Sequence, residues 1–408
     1  MGGDAVAGSA GVRAINALTT RWARTVAADD GTVFSAAAVW PLLAFLTDGA
    51  GGQARAELSD ALGVPADLAA TAARQLLAEL ASVTGLDAAL GLWTQQSLRL
   101  RDDWRAGLPA GTQGTFGDDL ITAQERLDAW AAERTGGMVE RMPLKLTRDA
   151  QVVLASALSL RTTWRQPFTE IPLRPEHGPW QGRTLLGLFR RSVRPDRVGV
   201  AATPDGHVTS LTIPGDNGID IHLVLGQEGM TPGQVITAGV GLVERTLPVT
   251  EGGRLPLGHV GPGLHVEQRP SATPEPIALD VRTVAYEVRA DHDLLADPAL
   301  FGLATAQYTP GAHFPGITDT PLAIGAARQS AVAQFSAKGF RAGAVTAVAA
   351  RPGGAPQQTH TTTVLSLTFD RPFAFLTTTR SPRLLLTTGW VTSPAPYPAM
   401  HLTPPRTP

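Results

Sequence analysis

Apolar residues recur at helical spacing over the first third of the chain and at strand spacing over most of the rest. Val12, Ile15, Leu18, Trp22 and Val26 share one helical face. Val33-Phe34-Ser35 reads as a short strand. Val39 to Leu46 is apolar on every side, which predicts a buried helix, stopped at Asp48-Gly49-Ala50-Gly51-Gly52. Gln53 to Leu62 reads as another helix, and Leu68, Leu76, Leu77 and Leu80 mark a third. Leu90, Leu92 and Leu98 suggest a strand. Leu127 to Met138 reads as an amphipathic helix with Trp130 facing inward.

Strands dominate from there. Val152 to Leu160 is nearly continuous apolar sequence, as expected of a strand covered on both faces. Val208–Ile213 and Ile219–Leu225 flank Pro214-Gly215-Asp216-Asn217-Gly218, the pattern of a hairpin. Gln234 to Arg245 is consistent with a helix. Glu251 to Pro276, rich in Gly and Pro, reads as surface loop. Thr283–Val288 is a strand, and Pro298–Leu303 a short helix. Helices first and many strands after them point to one α+β domain over about residues 12–394. The Pro-rich tail 395–408, continuing Pro394, is expected to be extended or disordered.

The stretch from Gln329 to Asp370 stands out. It opens with alternating apolar residues, among them Val332 and Phe335. Lys338-Gly339 follows, then small and β-branched residues from Ala342 to Ala350, a Pro/Gly break at Arg351–Pro356, and a strand at Val364–Phe369. A long connection between two good strands usually means function or disorder. Here its first half is itself strand-like, through Val345, Thr346 and Val348.

Composition narrows the classes. With 408 residues, 43% hydrophobic and 17% charged, the chain can bury a large core. A net charge of -2 makes no case for nucleic acid or an anionic membrane. Lys145 and Lys338 are the only lysines, and there is no cysteine. The start, MGGDAVAGSAG, lacks a signal-peptide pattern, so a cytoplasmic location is expected as given, an extracellular one if the sequence was trimmed. No apolar run reaches the ~18 residues needed to span a bilayer. Gly-x-Ser-x-Gly, His-Glu-x-x-His and phosphate-loop motifs are absent. Asp291-His292-Asp293 is the one dense polar triplet, read as a solvated cluster rather than a metal site. His313 reads as turn packing, His222 as a hydrogen-bonded core histidine, and Glu287 as an exposed carboxylate. No cofactor or metal is expected.

Six blocks, in order, resemble the serpins, in a divergent, prokaryote-like form. They are VFSAAAVWPLLAFLTDGAGGQARAELSDALG (33–63), LDAWAAERTGGMVERM (127–142) and VVLASALSLRTTWRQPF (152–168). TVAYEVRADHDLLADPALFGLATAQYTPGAHFPGI (283–317), QSAVAQFSAKGFRAGAVTAVAA (329–350) and LSLTFDRPFAFLTTTRSPRLLLTTGWVTSP (365–394) complete the set. The resemblance implies a serpin fold: about eight or nine helices on three β-sheets, with a long exposed reactive loop near 340–363. It implies inhibition of a serine protease by a monomer. The protease cuts the loop, is held as an acyl-enzyme, and is dragged along as the loop inserts into sheet A as a new strand.

By that resemblance Lys338, Gly339, Phe340, Arg341, Ala342, Gly343 and Ala344 form the hinge. Phe340, Ala342, Ala344, Thr346 and Val348 then face inward on insertion. Phe340 departs from the small hydroxyl residue of inhibitors and is expected to oppose the first step, since overpacking costs ~1–3 kcal/mol. Ser35, Ser156, Gln329 and Trp164 fall at the shutter and breach. Ala36 and Ala38 replace the family's proline and second serine, Ser156 its asparagine, Gln329 its histidine, and Ala337 its acid. These changes are mutually compatible and read as a rewired latch. The bait falls among Val348, Ala349, Ala350, Arg351, Pro352 and Gly353. Arg351 suits a trypsin-like protease except that Pro352 follows it; Val348-Ala349-Ala350 suits an elastase- or subtilisin-like one. The alternative is a serpin fold whose inhibition has lapsed, repurposed to bind a small molecule in a cleft between helices and a sheet, or as a biosynthetic enzyme.

Overall fold

A computed structural model describes residues 2–148, 150–308, 311–340 and 360–398. In chain order the elements are α1 (Gly2–Ala23), β1 (Thr32–Phe34), α2 (Ala36–Gly49), α3 (Gly52–Leu62), α4 (Ala66–Ala81), β2 (Leu86–Gln95), α5 (Asp102–Gly107), β3 (Gln113–Phe116) and α6 (Leu120–Arg134). Then come β4 (Val152–Leu160), β5 (Thr162–Thr163), β6 (Thr169–Leu173), β7 (Leu185–Ser192), β8 (Val198–Thr203), β9 (Gly206–Pro214), β10 (Ile219–Gly226) and α7 (Pro232–Glu244). The remainder is β11 (Thr250–Glu251), β12 (Gly258–Gly261), β13 (Leu264–Ser271), β14 (Ala278–Val284), β15 (Tyr286–Asp293), β16 (Ile324–Phe335), β17 (Gly339–Phe340), β18 (His360–Thr368), β19 (Phe373–Thr379) and β20 (Leu385–Val391).

The strands make three sheets. Sheet A runs β3-β2-β4-β16, with β15 on the far side of β16 and the short β17 and β5 continuing its path. Sheet B is β1-β20-β19-β10-β9-β8-β11, and sheet C is β12-β13-β18-β14-β7-β6. In β4 all nine residues are buried. Period two divides them. Val152, Leu154, Leu158 and Leu160 enter the main core with α2, while Val153, Ala155 and Ala157 pack into a second cluster under α6. The β9–β10 hairpin forms as expected, antiparallel from Asp220–Pro214 to Gly226–Val208.

Several expectations are corrected. Seven α-helices form among the described residues, not eight or nine. Pro298–Leu303 makes turns instead of a helix; Gly302, at φ +68°, lies against the Glu57 carbonyl and breaks the helical path. The helix expected over 127–138 begins at Leu120 and ends at Arg134, leaving Met138 outside and Trp130 only half-buried, edge-on to Trp93. Glu251–Pro276 is not a loop, because Leu264 and Val266 are buried and β13 pairs with β18 over eight residues. The run Thr283–Val288 is divided between two sheets, β14 in sheet C and β15 in sheet A, at Ala285. The start of the tail is docked: Pro396 bridges Leu185 and Pro394 bridges Tyr286. The remainder, 399–408, lies outside the described residues. Among the described residues no helix is long and apolar enough to cross a membrane.

Candidate functional site

The seam between β4 and β16 organises the site. The two strands pair in parallel from Ile324–Val152 to Ala331–Leu158. Gln329 sits opposite Ser156 on that seam, and Ser35 caps α2 just behind it. All three are buried. The Gln329 amide makes three hydrogen bonds. Its Oε1 accepts from Ser35 N at 2.8 Å, and its Nε2 donates to Ser35 O at 2.9 Å and to Ser156 Oγ at 3.3 Å. Ser35 Oγ donates to Leu386 O at 2.5 Å and accepts from Ala38 N at 3.1 Å. One amide therefore ties β4 and β16 to the start of α2, with β20 joined through Ser35.

At the end of β16 the chain reverses over Ser336-Ala337-Lys338 and returns as β17. Phe340 pairs antiparallel with Phe335, and on the other side Gly339 and Phe340 pair antiparallel with Thr163 and Thr162 of β5. Trp164 closes the reversal: its indole Nε1 donates to Ser336 O at 2.8 Å and its backbone N to Lys338 O at 3.0 Å. Lys338 is exposed, whereas Gly339 and Phe340 are buried, Phe340 at 1%. A Cβ at Gly339 would stand 2.4 Å from Thr162 O, so glycine is needed for this close approach.

The position of Phe340 differs from the expectation. It does not wait outside to be overpacked on insertion; its ring is already inside, 6.2 Å from Phe375. The loop boundary also differs, since residue 340 belongs to β17 and 360–363 to β18. Arg341, Ala342, Gly343, Ala344, Val348, Ala349, Ala350, Arg351, Pro352 and Gly353 lie outside the described residues.

Sequence reasoning missed the residues that brace β5. Asp216 and Asn217 were legible only as turn formers. Thr162 Oγ1 donates to Asn217 Oδ1 at 2.6 Å, and Asp216 accepts from the Thr163 hydroxyl and backbone N. The Thr163 hydroxyl holds the Asp216 carboxyl below its usual range. Nothing local in the sequence connects this turn to a strand some 50 residues earlier.

The polar triplet does not converge. Asp291 accepts from Ser330 at 2.7 Å, Asp293 pairs with Arg328 at 2.9 Å, and His292 Nε2 donates to Val33 O at 2.9 Å. Among the described residues no group of three or more His, Cys, Asp or Glu could hold a metal ion. Glu287 is exposed and accepts from Arg289. Gly51 N donates to His313 O at 2.8 Å in the turn before buried Phe314.

His222 bridges Thr212 Oγ1 and Thr378 Oγ1, each at 3.2 Å, on the wall of a cleft of about 590 Å³ beside α7. Burial pushes its imidazole down to about 4, against the pull of Asp220. The folded chain keeps it neutral while the unfolded chain takes up a proton below about pH 6.5. Its contribution is therefore full above about pH 6.5 and declines as pH falls toward 4. His222 as a residue is only half-buried beside the cleft, so screening holds the expected loss to about 1–2 kcal/mol. Urea midpoints at about pH 7.5 and 4.5 check this: the drop should be smaller in His222→Asn. Some slope remains from His292, which burial also lowers. Equal drops in both proteins would remove His222 as the source.

Comparison with known proteins agrees with this geometry. Residues 13–177 match the family model Serpin (serine protease inhibitor). Serpin-Z12 of Oryza sativa subsp. japonica is 27% identical over 187 residues, a match spanning 43% of this chain and 43% of the relative. Thyroxine-binding globulin in complex with thyroxine superposes with a TM-score of 0.72 at 18% identity, over 95% of this chain and 99% of that one. Serpin48 of the insect Tenebrio molitor gives 0.66 at 17% identity, over 94% and 97%. The three-sheet architecture, the closed β4–β16 seam and the match over the first part of the chain agree: the chain has the serpin fold, and its residues 13–177 match the serpin family model.

Proposed function

We propose that the chain is a serine-protease inhibitor that acts by cleavage of its loop and insertion of the freed segment between β4 and β16. The observation that carries this reading is β17. Gly339 and Phe340 lie antiparallel to β16 on one side and to β5 on the other, in the orientation a longer inserted strand would take. β4 and β16 run parallel, so one antiparallel strand can pair with both once the seam opens. The residues next to enter, Ala342 and Ala344, are small where an inward face has little room. The hinge is Lys338–Ala344, and the bait lies among Val348–Gly353, with an elastase-, subtilisin- or trypsin-like protease as partner. Limited proteolysis with one enzyme of each class tests this. The expected result is a protease adduct that survives denaturant, and a cleaved chain melting far above the intact one. Cleavage with neither an adduct nor a higher melting temperature would overturn it.

A second reading, carriage of a small molecule, is favoured by the cleft between α7 and sheet B. Its volume falls in the usual ligand range of roughly 300–1,000 Å³. Its wall brings together His222, Thr212, Thr378, Arg245 and the Asp220–Arg380 pair. Under this reading a ligand raises the melting temperature equally before and after loop cleavage, and no adduct forms.

A further inference from the structure

The hairpin of β12 and β13 carries a feature that loop insertion does not use. Its strands pair antiparallel, with His259 directly opposite His265. Directly opposed residues project from the same face of a sheet. The two imidazoles meet there, ring centroids 4.5 Å apart and planes tilted by 51°. A register shift follows His259, before Gly261, and such irregularities re-aim a side chain. His259 is exposed and His265 half-buried. The Nδ1 atom of His265 is shut off from solvent and has no hydrogen-bond partner. Glu267, two residues along the same face, is held by Arg269, whose Nε donates to it at 2.7 Å.

We propose that His259 and His265 form a two-imidazole chelate for a late first-row divalent cation, Zn²⁺, Cu²⁺ or Ni²⁺. Neutral imidazole is a ligand these ions favour, whereas Mg²⁺ and Ca²⁺ call for oxygen. Each neutral ring offers one lone pair, and a centroid separation of 4.5 Å on one face of the hairpin is close enough for both rings to reach one ion. No larger donor group forms among the described residues, so water completes the coordination and the ion is exchangeable. The ion would fasten the four-residue edge strand β12 to β13. β13 in turn pairs with β18, the strand that starts at His360.

The test uses the full chain without an affinity tag. Zn²⁺ is titrated by calorimetry up to about 1 mM, and Cu²⁺ is added for electron paramagnetic resonance. One ion per chain is expected, weakened at least about tenfold in His259→Gln and in His265→Gln, and unchanged in the exposed His177→Gln. The copper spectrum should carry two imidazole nitrogens. His259 is exposed, so its variant keeps the fold; metal-free melting curves check that His265→Gln does too. Absence of Zn²⁺ binding, undiminished binding in His259→Gln, or a copper spectrum with a single nitrogen would overturn the proposal.

Discussion

Replacing Gln329 by leucine is expected to destabilise the intact chain by about 2–5 kcal/mol. The side chain makes three hydrogen bonds in a fully buried place. Ser35 O keeps a second donor, the Ala38 amide, but Ser35 N and Ser156 Oγ lose the partner that Gln329 gives them. A buried group left unsatisfied costs about 1–3 kcal/mol. Leucine fills most of the volume, so packing adds little. The loss should be non-additive with Ser156→Ala, because removing both partners of a buried bond costs less than removing one. If the loop inserts on cleavage, Gln329 and Ser156 no longer share a seam in the cleaved chain. Urea midpoints of the intact chain should then fall more than those of the cleaved chain. Equal falls would mean that the amide supports α2 alone and does not hold the sheet shut.

Much of this seam is written in the sequence. Nine apolar or small residues in a row at Val152–Leu160 can satisfy only a strand covered twice, and β4 is covered by the main core and by α6. The hairpin at Pro214–Gly218 was legible because its turn residues lie between two β-branched runs. What was not legible depends on partners far along the chain. β13 contains Pro270, which argues against an interior strand. Pro270 pairs with Thr361 on one side, whereas β12 reaches only Val266 on the other, so its missing N–H faces no neighbour there. The run at Thr283–Val288 has one periodicity but serves two sheets, and no local signal marks the change at Ala285. Lys338-Gly339-Phe340 gave a hinge by resemblance. That the phenylalanine is already seated follows from Thr162, Thr163 and Trp164, more than 170 residues earlier in the chain.

Phe340→Ala should lower the intact chain's stability by about 3 kcal/mol, the low end for removing a buried aromatic ring. The low end applies because the described part of β17 is two residues long and can withdraw, letting the gap close or fill with water. The ring's loss then appears as a change of state at the end of β16 instead of a fixed cavity. Amide exchange reads this directly. Phe340 pairs with Phe335 and Thr162, and Gly339 with Thr163, so peptides covering 336–340 should be protected in the wild type and exchange early in the variant. Protection of β4 and of 324–331 should persist, because the Gln329 bonds hold that part of the seam independently. Gly339→Ala should give the same exchange pattern by a different route, since its Cβ cannot fit against Thr162 O. If the chain inhibits by loop insertion, as proposed, a consequence for inhibition follows from timing. Under that reading a seated Phe340 has taken its step before the protease cuts, so it adds nothing to the race with deacylation. An unseated hinge must take that step after the cut. Phe340→Ala should therefore release more cleaved chain per adduct formed, whereas unchanged partitioning would place the rate-limiting step beyond the first two residues.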